Sequence, residues 1–387
     1  MEIQWSEYEL GELLSYEQPT PYIVSSTDYN DKYKTPVLTA GKSFILGYTN
    51  ETQGVYTALP VIIFDDFTTA SQYVNFEFKV KSSAMKILTP NTDLVLPKFI
   101  YYRMQIIQFD HSTHKRYWIQ QYSKIKVSIP PIPVQEQIVA RIEELFSELD
   151  NGVETLRKTK QQLAVYRQAV LKDAFDIAIK FCEELTSIED FLVTDRKGMS
   201  TGPFGTMIKK HEHKSSGVPM LGIENIGDGT FVDGNKIFVT EEKAQELKSF
   251  ALKAGDIIIS RSGTVGEICA VPSHMEGALL STNLMRVSLN QKKVLPEYFI
   301  YLFQSKGIVL DQVKELCKGS TRIFLNQTIL KQIRFPIPSI SKQAEIVAKI
   351  ESRLSVCDNI EKTVDTALQQ AEAMRQSILQ QAFEGRL

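Results

Sequence analysis

The stretch "IPPIPVQEQIVARIE" at residues 129–143 recurs as "IPSISKQAEIVAKIE" at residues 337–351. The same offset then holds without a gap for a long way. Asp150-Asn151 recurs as Asp358-Asn359, Gln161-Gln162 as Gln369-Gln370, Arg167-Gln168 as Arg375-Gln376 and Ala174-Phe175 as Ala382-Phe383. An ungapped match of this length is a duplication.

Each copy has a helical period. Ile142, Leu149, Leu156, Leu163 and Val170 recur every seven residues, with Ile138, Leu145 and Tyr166 at the alternate seam position. The second copy places Ile350, Cys357, Val364, Ala371 and Ile378 in the first register, and Ile346, Ile360 and Met374 in the other. Sustained heptads with charged outer positions predict a coiled coil. Pro133 suits a first helical turn, and Ser341 is the expected N-cap of the second copy. Each helix should run for about 45 residues, on the order of 65 Å. The simplest partner for one seam is the other copy, and the heptads leave parallel and antiparallel pairing open. Two long helices of an ordinary bundle are the alternative.

The segments between the helices share a faint common order. "TPVLTAG" (35–41) parallels "VPMLGIE" (218–224), and "PVIIFDD" (60–66) parallels "GDIIISRSGTVG" (255–266). "SSAMKIL" (82–88) parallels "STNLMRVSL" (281–289), and "LPKFIYY" (96–102) parallels "LPEYFIYL" (295–302). A basic stretch closes each segment, "HKRYW" (114–118) in one and "KGSTRIFLNQ" (318–327) in the other. The expected fold class is α+β: two mixed α/β domains separated by two long helices that pair as a coiled coil, with pseudo-two-fold character. The expected boundaries are 1–124 and 182–333 for the domains, and 125–181 and 334–387 for the helices.

A chain of 387 residues has length for two or three cores, and its apolar and charged fractions are globular. Net charge is −2, so any polyanion-binding face must be local. Residues 1–75 hold three lysines against ten acids, whereas residues 76–124 hold eight Lys/Arg against three acids. Tyr101, Tyr102, Tyr117 and Trp118 interleave the second set, as a phosphate-contacting stripe would have it, although a solvated face has the same composition. Four scattered cysteines argue for a reducing compartment and against structural zinc. The acidic start "MEIQWSEYELGELL" is unlike a signal peptide, and no apolar run is long enough to span a bilayer, so the expected location is cytoplasmic.

Catalytic signals are poor. The chain has no GxxxxGK[ST] loop, no GxGxxG after a strand, and no Asn/Asp-Pro-Pro-aromatic tetrapeptide of the kind an amino-methyltransferase wants. The pairs His111/His114 and His211/His213 lack a further ligand at metal spacing. One sharp alternative is an autonomous Mg²⁺-dependent nuclease built from Asp65, Asp66, Glu77 and Lys79. Another is a coiled-coil scaffold with no nucleic-acid role.

With the duplicated proline-led helix starts in view, the chain resembles the specificity subunit of Type I restriction–modification systems over nearly its whole length. "GPFGTMI" (202–208), "GIENIGDGTF" (222–231), "GDIIISRSGTVG" and "GSTRIFLN" (319–326) resemble one common target-recognition pattern. "PVLTAGKSFILGYTNE" (36–51), "PVIIFDDFTT" (60–69) and "FKVKSSAMKIL" (78–88) resemble another. The resemblance implies that each domain reads one half of a bipartite, asymmetric double-stranded DNA site. It also implies that the helices set the spacing and dock two methylation subunits, which restriction subunits then join. S-adenosylmethionine, ATP and Mg²⁺ would belong to those partners, leaving this chain non-catalytic and without a cofactor.

Motif position and side-chain type then select DNA-contacting residues. In the first domain they are Lys42, Tyr48, Lys79, Lys81, Ser82, Ser83, Lys86, Lys115 and Arg116. In the second they are Phe204, Lys209, Asn225, Arg261, Ser262, Thr264, Asn283, Lys318, Arg322 and Asn326. Gly202, Gly205, Gly263 and Gly266 are expected to shape loops rather than touch bases.

Overall fold

The run Val61–Asp65, "VIIFD", is apolar on both alternating faces, which requires a strand covered from both sides. In the computed structural model, which describes residues 5–41, 43–110, 116–204, 207–305, 307–317 and 324–387, it is that strand. Ile62 and Phe64 enter a core with Phe99 and Ile100 of the helix Pro97–Met104, while Val61 and Ile63 enter a second core with Leu38 and Val80. Fully burying each such side chain contributes roughly 1.5–3 kcal/mol. The strand is therefore the middle layer of its domain.

The first domain holds a four-stranded antiparallel sheet ordered Leu14–Glu17, Met85–Pro90, Val61–Asp65, Ser71–Val74. A three-stranded sheet lies on its other face, ordered Ile45–Thr49, Thr35–Leu38, Lys79–Val80, with the last pair parallel. The second domain repeats both orders. Its four strands are Met199–Thr201, Leu284–Val287, Ile257–Ser260, Ile268–Ala270, and its three are Ile237–Val239, Val218–Leu221, Leu279–Leu280, again with the last pair parallel. All four segment parallels drawn from the sequence fall on equivalent elements. Pro97 and Pro296 each open the helix that packs on the large sheet, at the position where a missing N–H costs nothing.

The long helices are Ile132–Lys180 and Ile340–Phe383. The second begins one residue before Ser341, so Ser341 is not its cap; Ser339 holds the preceding position, and the two hydroxyls lie 3.1 Å apart. The chain forms two compact units, Met1–Arg157 with Asp365–Leu387, and Lys158–Val364.

Within the first unit, Ile142 packs on Leu379 and Ala382, Arg375 pairs with Asp150, and Phe383 meets Phe99 edge-on at 5.2 Å. Within the second, Arg167 holds Asp358 at 2.6 Å and Glu361 at 2.9 Å, and Leu171, Phe175 and Ala178 share a core with Ile346 and Ile350. The pairing in both units is antiparallel, which settles what the heptads left open.

The seam is narrower than the heptads predict. Leu163, Val170, Ile350, Cys357, Val364, Ala371 and Ile378 are buried, but Tyr166, Ile360 and Met374 are 48%, 40% and 53% exposed. One register packs on the partner helix, and at these three places the other faces out. Among the described residues no helix is long and apolar enough to cross a membrane.

Candidate nucleic-acid interface

Where the central strand of the large sheet ends, the chain must turn, and the turns of three segments meet there. In the second domain the strand ends at Ser260. The Arg261 N–H donates to Asn283 O at 2.9 Å, and Leu325 N–H donates to Arg261 O at 3.0 Å. The Arg261 side chain reinforces the junction: Nε–H donates to Leu325 O and Nη1–H to Thr282 O, both at 3.2 Å. Two of its five N–H groups are thus taken by carbonyls. Burial lowers the guanidinium pKa, yet an arginine stays charged at neutral pH.

Around this pin, the Ser262 hydroxyl lies 3.4 Å from Asn283 Oδ1, and Thr282 Oγ1 donates to Pro203 O at 2.6 Å. Gly202 has to be glycine, because a Cβ there would fall 1.9 Å from Ser281 O. Gly263 and Gly266 take positive φ, +79° and +90°, in the turn. Phe204 (64% exposed), Ser262, Thr264 and Asn283 all face outward from this junction, with Arg261 half-buried among them. Lys209 is exposed too, its backbone N–H held by Glu212 at 2.6 Å.

The first domain builds the same junction with different side chains. Asp66 N–H donates to Ala84 O at 3.0 Å, and Tyr117 N–H donates to Asp66 O at 2.9 Å. The Asp66 carboxylate turns inward, accepts from Trp118 N–H at 2.8 Å and meets Lys86 Nζ at 3.2 Å. Lys81, Ser83 and Arg116 are exposed on the segments so joined, and Ser82 is half-buried. Tyr48 is half-buried on the strand Ile45–Thr49.

Several sequence assignments need correction. Lys86 is 0% exposed, bonded to Gln18 Oε1 at 3.1 Å and paired with Asp66, so its charge serves the core. Lys79 is 3% exposed, paired with Glu51 at 2.9 Å and donating to Gln53 O at 2.7 Å. Asn225 is fully buried: its Oδ1 accepts from Gly222 N–H at 2.9 Å and its Nδ2 donates to Val232 O at 3.0 Å. Asn326 caps the helix Gln327–Gln332, accepting from Ile329 N–H at 2.8 Å. Tyr117 and Trp118 lie in the core against Phe109 and Phe64 rather than along a phosphate-contacting stripe, and Tyr101 and Tyr102 are half-buried. Lys42, Lys115, Lys318 and Arg322 lie outside the described residues.

The nuclease constellation is not assembled. Asp66 is 1% exposed and committed to Lys86, Asp65 Oδ1 accepts from Phe67 and Thr68 N–H at 2.9 Å in a turn, and Lys79 is spent on Glu51. Among the described residues no group of His, Cys, Asp or Glu is placed to hold a metal ion.

Residues 2–163 and 203–370 match the family described as the type I restriction modification DNA specificity domain. The chain belongs to that family. This specificity subunit is 34% identical over 361 residues to the EcoR124I/EcoR124II specificity subunit of Escherichia coli, covering 90% of this chain and 85% of that one. A structure solved in work on complex assembly and conformational transition of the type I R-M system superposes with TM-score 0.69 at 15% identity, over the full length of both chains. The HsdS subunit from Thermoanaerobacter tengcongensis gives 0.52 at 14% identity, over 99% of this chain and 97% of that one. The protein is thus a specificity subunit of the Type I restriction–modification kind.

One matched pair of residues carries no assigned role in the sequence reading. Gln135 and Gln343, matched in the duplication a few residues after the prolines, are both 0% exposed, each with its amide bonded into the neighbouring domain. Their repetition was visible; their burial was not.

Proposed function

We propose that the two strand-end junctions are the DNA-reading surfaces and that this chain is non-catalytic. Lys81, Ser82, Ser83 and Arg116 would serve one half-site, and Phe204, Lys209, Arg261, Ser262, Thr264 and Asn283 the other. Lys42, Tyr48, Lys115, Lys318 and Arg322 are proposed to add contacts. These are the side-chain types that reach phosphates and base edges. The observation that carries the reading is the shared backbone junction, Asp66 to Ala84 in one domain and Arg261 to Asn283 in the other, clothed in unlike side chains. A common frame with different side chains suits one chain reading two different half-sites.

Two methylation subunits are proposed as partners, one on each of two equivalent grooves. In the first unit a groove of about 520 Å³ is lined by Tyr102, Gln105, Glu143, Phe146, Asp150 and Arg375. In the second, Tyr301, Gln304, Glu351, Leu354, Asp358 and Arg167 stand at matching positions around about 730 Å³. Burial beside Glu143 pushes the Tyr102 hydroxyl up to about 12, so it remains a neutral donor. The carboxylates outnumber the cations in both, which favours a basic helix or arm on the partner. Restriction subunits join that assembly, in the cytoplasm, and S-adenosylmethionine, ATP and Mg²⁺ act on the partners.

The test is reconstitution. The purified chain alone should neither cut nor methylate duplex DNA, and adding the methylation subunit should give site-specific adenine methylation. Intrinsic cleavage abolished by Glu77→Ala would overturn the reading.

A further inference from the structure

Each long helix starts from a strand-to-helix turn stiffened by prolines, Pro130 and Pro131 in one copy and Pro336 and Pro338 in the other. One helical turn in, a glutamine reaches back. Gln135 Oε1 accepts from Leu96 N–H at 2.8 Å, and its Nε2 donates to Leu94 O at 3.0 Å and Pro130 O at 2.8 Å. Gln343 repeats the set with Leu295 N–H at 2.9 Å, Lys293 O at 2.8 Å and Pro338 O at 2.8 Å. Both N–H groups and the carbonyl of each amide are used, in a dry environment. The partners belong to two different elements: the turn that opens the domain helix (Pro97–Met104 or Pro296–Gln304), and the foot of the long helix itself.

We propose that Gln135 and Gln343 are positioning residues that lock each rod to its own recognition domain and thereby fix the spacer length the subunit accepts. The proposal rests on the family function of reading two half-sites at a set distance. The lever makes the joint decisive. A slack of about 5° acting over about 35 Å, one turn of DNA, moves the far end by about 3 Å, close to the roughly 3.4 Å rise of one base pair. Three bonds from one planar amide oppose that rotation, whereas apolar packing alone is non-directional. Glutamine is needed because the site presents one donor and two acceptors. A carboxylate there would face two carbonyl oxygens with nothing to donate, whereas a protonated carboxyl would regain one donor.

The test uses the complete complex of this chain with its methylation subunits, mapping methylated sites by sequencing on genomic DNA. The wild-type complex should yield one pair of half-sites at one spacing. Gln135→Leu and, separately, Gln343→Leu should keep both half-site sequences while methylation at spacings one base pair longer or shorter rises by about tenfold, the scale of losing buried hydrogen bonds. Gln135→Glu serves if the leucine variants fail to fold. It should show relaxed spacing that sharpens as pH is lowered and the carboxyl takes a proton. A variant with the wild-type Tm and unchanged spacing, or one whose half-site sequences change instead, would overturn the proposal. A wild-type complex with no two-part site would overturn the family function and leave the joint's role to hydrogen exchange at Leu96 and Leu295 N–H, which should be faster in the leucine variants.

Discussion

Asp66 and Arg261 occupy the same place in their two domains, one residue beyond the central strand, and make the same pair of backbone bonds there. Each donates to the residue preceding the next strand, Ala84 at 3.0 Å or Asn283 at 2.9 Å, and each accepts from a third segment, Tyr117 at 2.9 Å or Leu325 at 3.0 Å. Their side chains have opposite charge and opposite direction. The carboxylate turns into the core toward Lys86; the guanidinium lies across the mouth of the junction. The frame was duplicated and its occupants diverged.

Asp66→Ala should therefore be a folding mutation. Lys86 is 0% exposed, and removing Asp66 leaves a buried ammonium with the neutral Gln18 carbonyl but no counter-charge, at a cost of about 3–5 kcal/mol. Denaturant unfolding would measure it, and the double variant Asp66→Ala/Lys86→Met should recover most of the loss, since Met285 fills the matching position of the second domain.

Arg261→Ala, by contrast, should spare the fold and change recognition. Its two carbonyl contacts hold the 282 and 325 segments in register, and its charge faces the proposed duplex surface. The expected loss is about 1–3 kcal/mol of binding, with relaxed discrimination at one half-site and none at the other. Methylation of targets with single-base changes in either half would show whether the effect is so confined. Lys81→Ala on the other domain should weaken binding to all sequences alike and reduce the salt slope by about one.

Much of this was legible in the sequence, for physical reasons that differ by element. The duplication was readable because the long helices bury a strip with a fixed period, and the matched strand pairs because each central strand is apolar on both faces. Lys79, Lys86 and Asn225 were misread because a lone cation or amide in a β-rich stretch looks the same whether it meets solvent or a buried partner; Glu51, Asp66 and Gly222 are distant in sequence or chemically unremarkable. Tyr166, Ile360 and Met374 fit the heptad and yet face outward, since a heptad records spacing and not which register the partner covers.

The Glu51–Lys79 pair gives the first domain an acid-sensitive tie. Burial disfavours the Glu51 carboxylate, but its bonds to Lys79 and to the N–H groups of Ser25 and Ser26 outweigh that and hold its pKa below the ordinary value. A depressed folded-state pKa means stabilisation present above the unfolded carboxyl range and lost as pH falls through the folded value. Glu51→Gln should cost about 1–3 kcal/mol near neutrality, and the gap to wild type should close as pH drops below the usual glutamate pKa. Tm measured against pH for both proteins is the check; a gap that persists at low pH would assign the effect to packing.

The two ion pairs along the rods, Asp150–Arg375 and Asp358–Arg167, are images of each other in the duplication, yet they should not be worth the same. Asp150 is 59% exposed and Arg375 33%, a single exposed pair contributing about 0–1 kcal/mol. Arg167 is 24% exposed and gathers two carboxylates, Asp358 at 2.6 Å and Glu361 at 2.9 Å. Arg167→Ala should therefore cost more stability than Arg375→Ala, since it takes the guanidinium from both carboxylates and leaves Glu361 with Lys160 at 3.7 Å. Double-mutant cycles on each pair would measure the difference, and raising the salt concentration should shrink the Arg375 coupling first, because screening acts most on the more exposed charges.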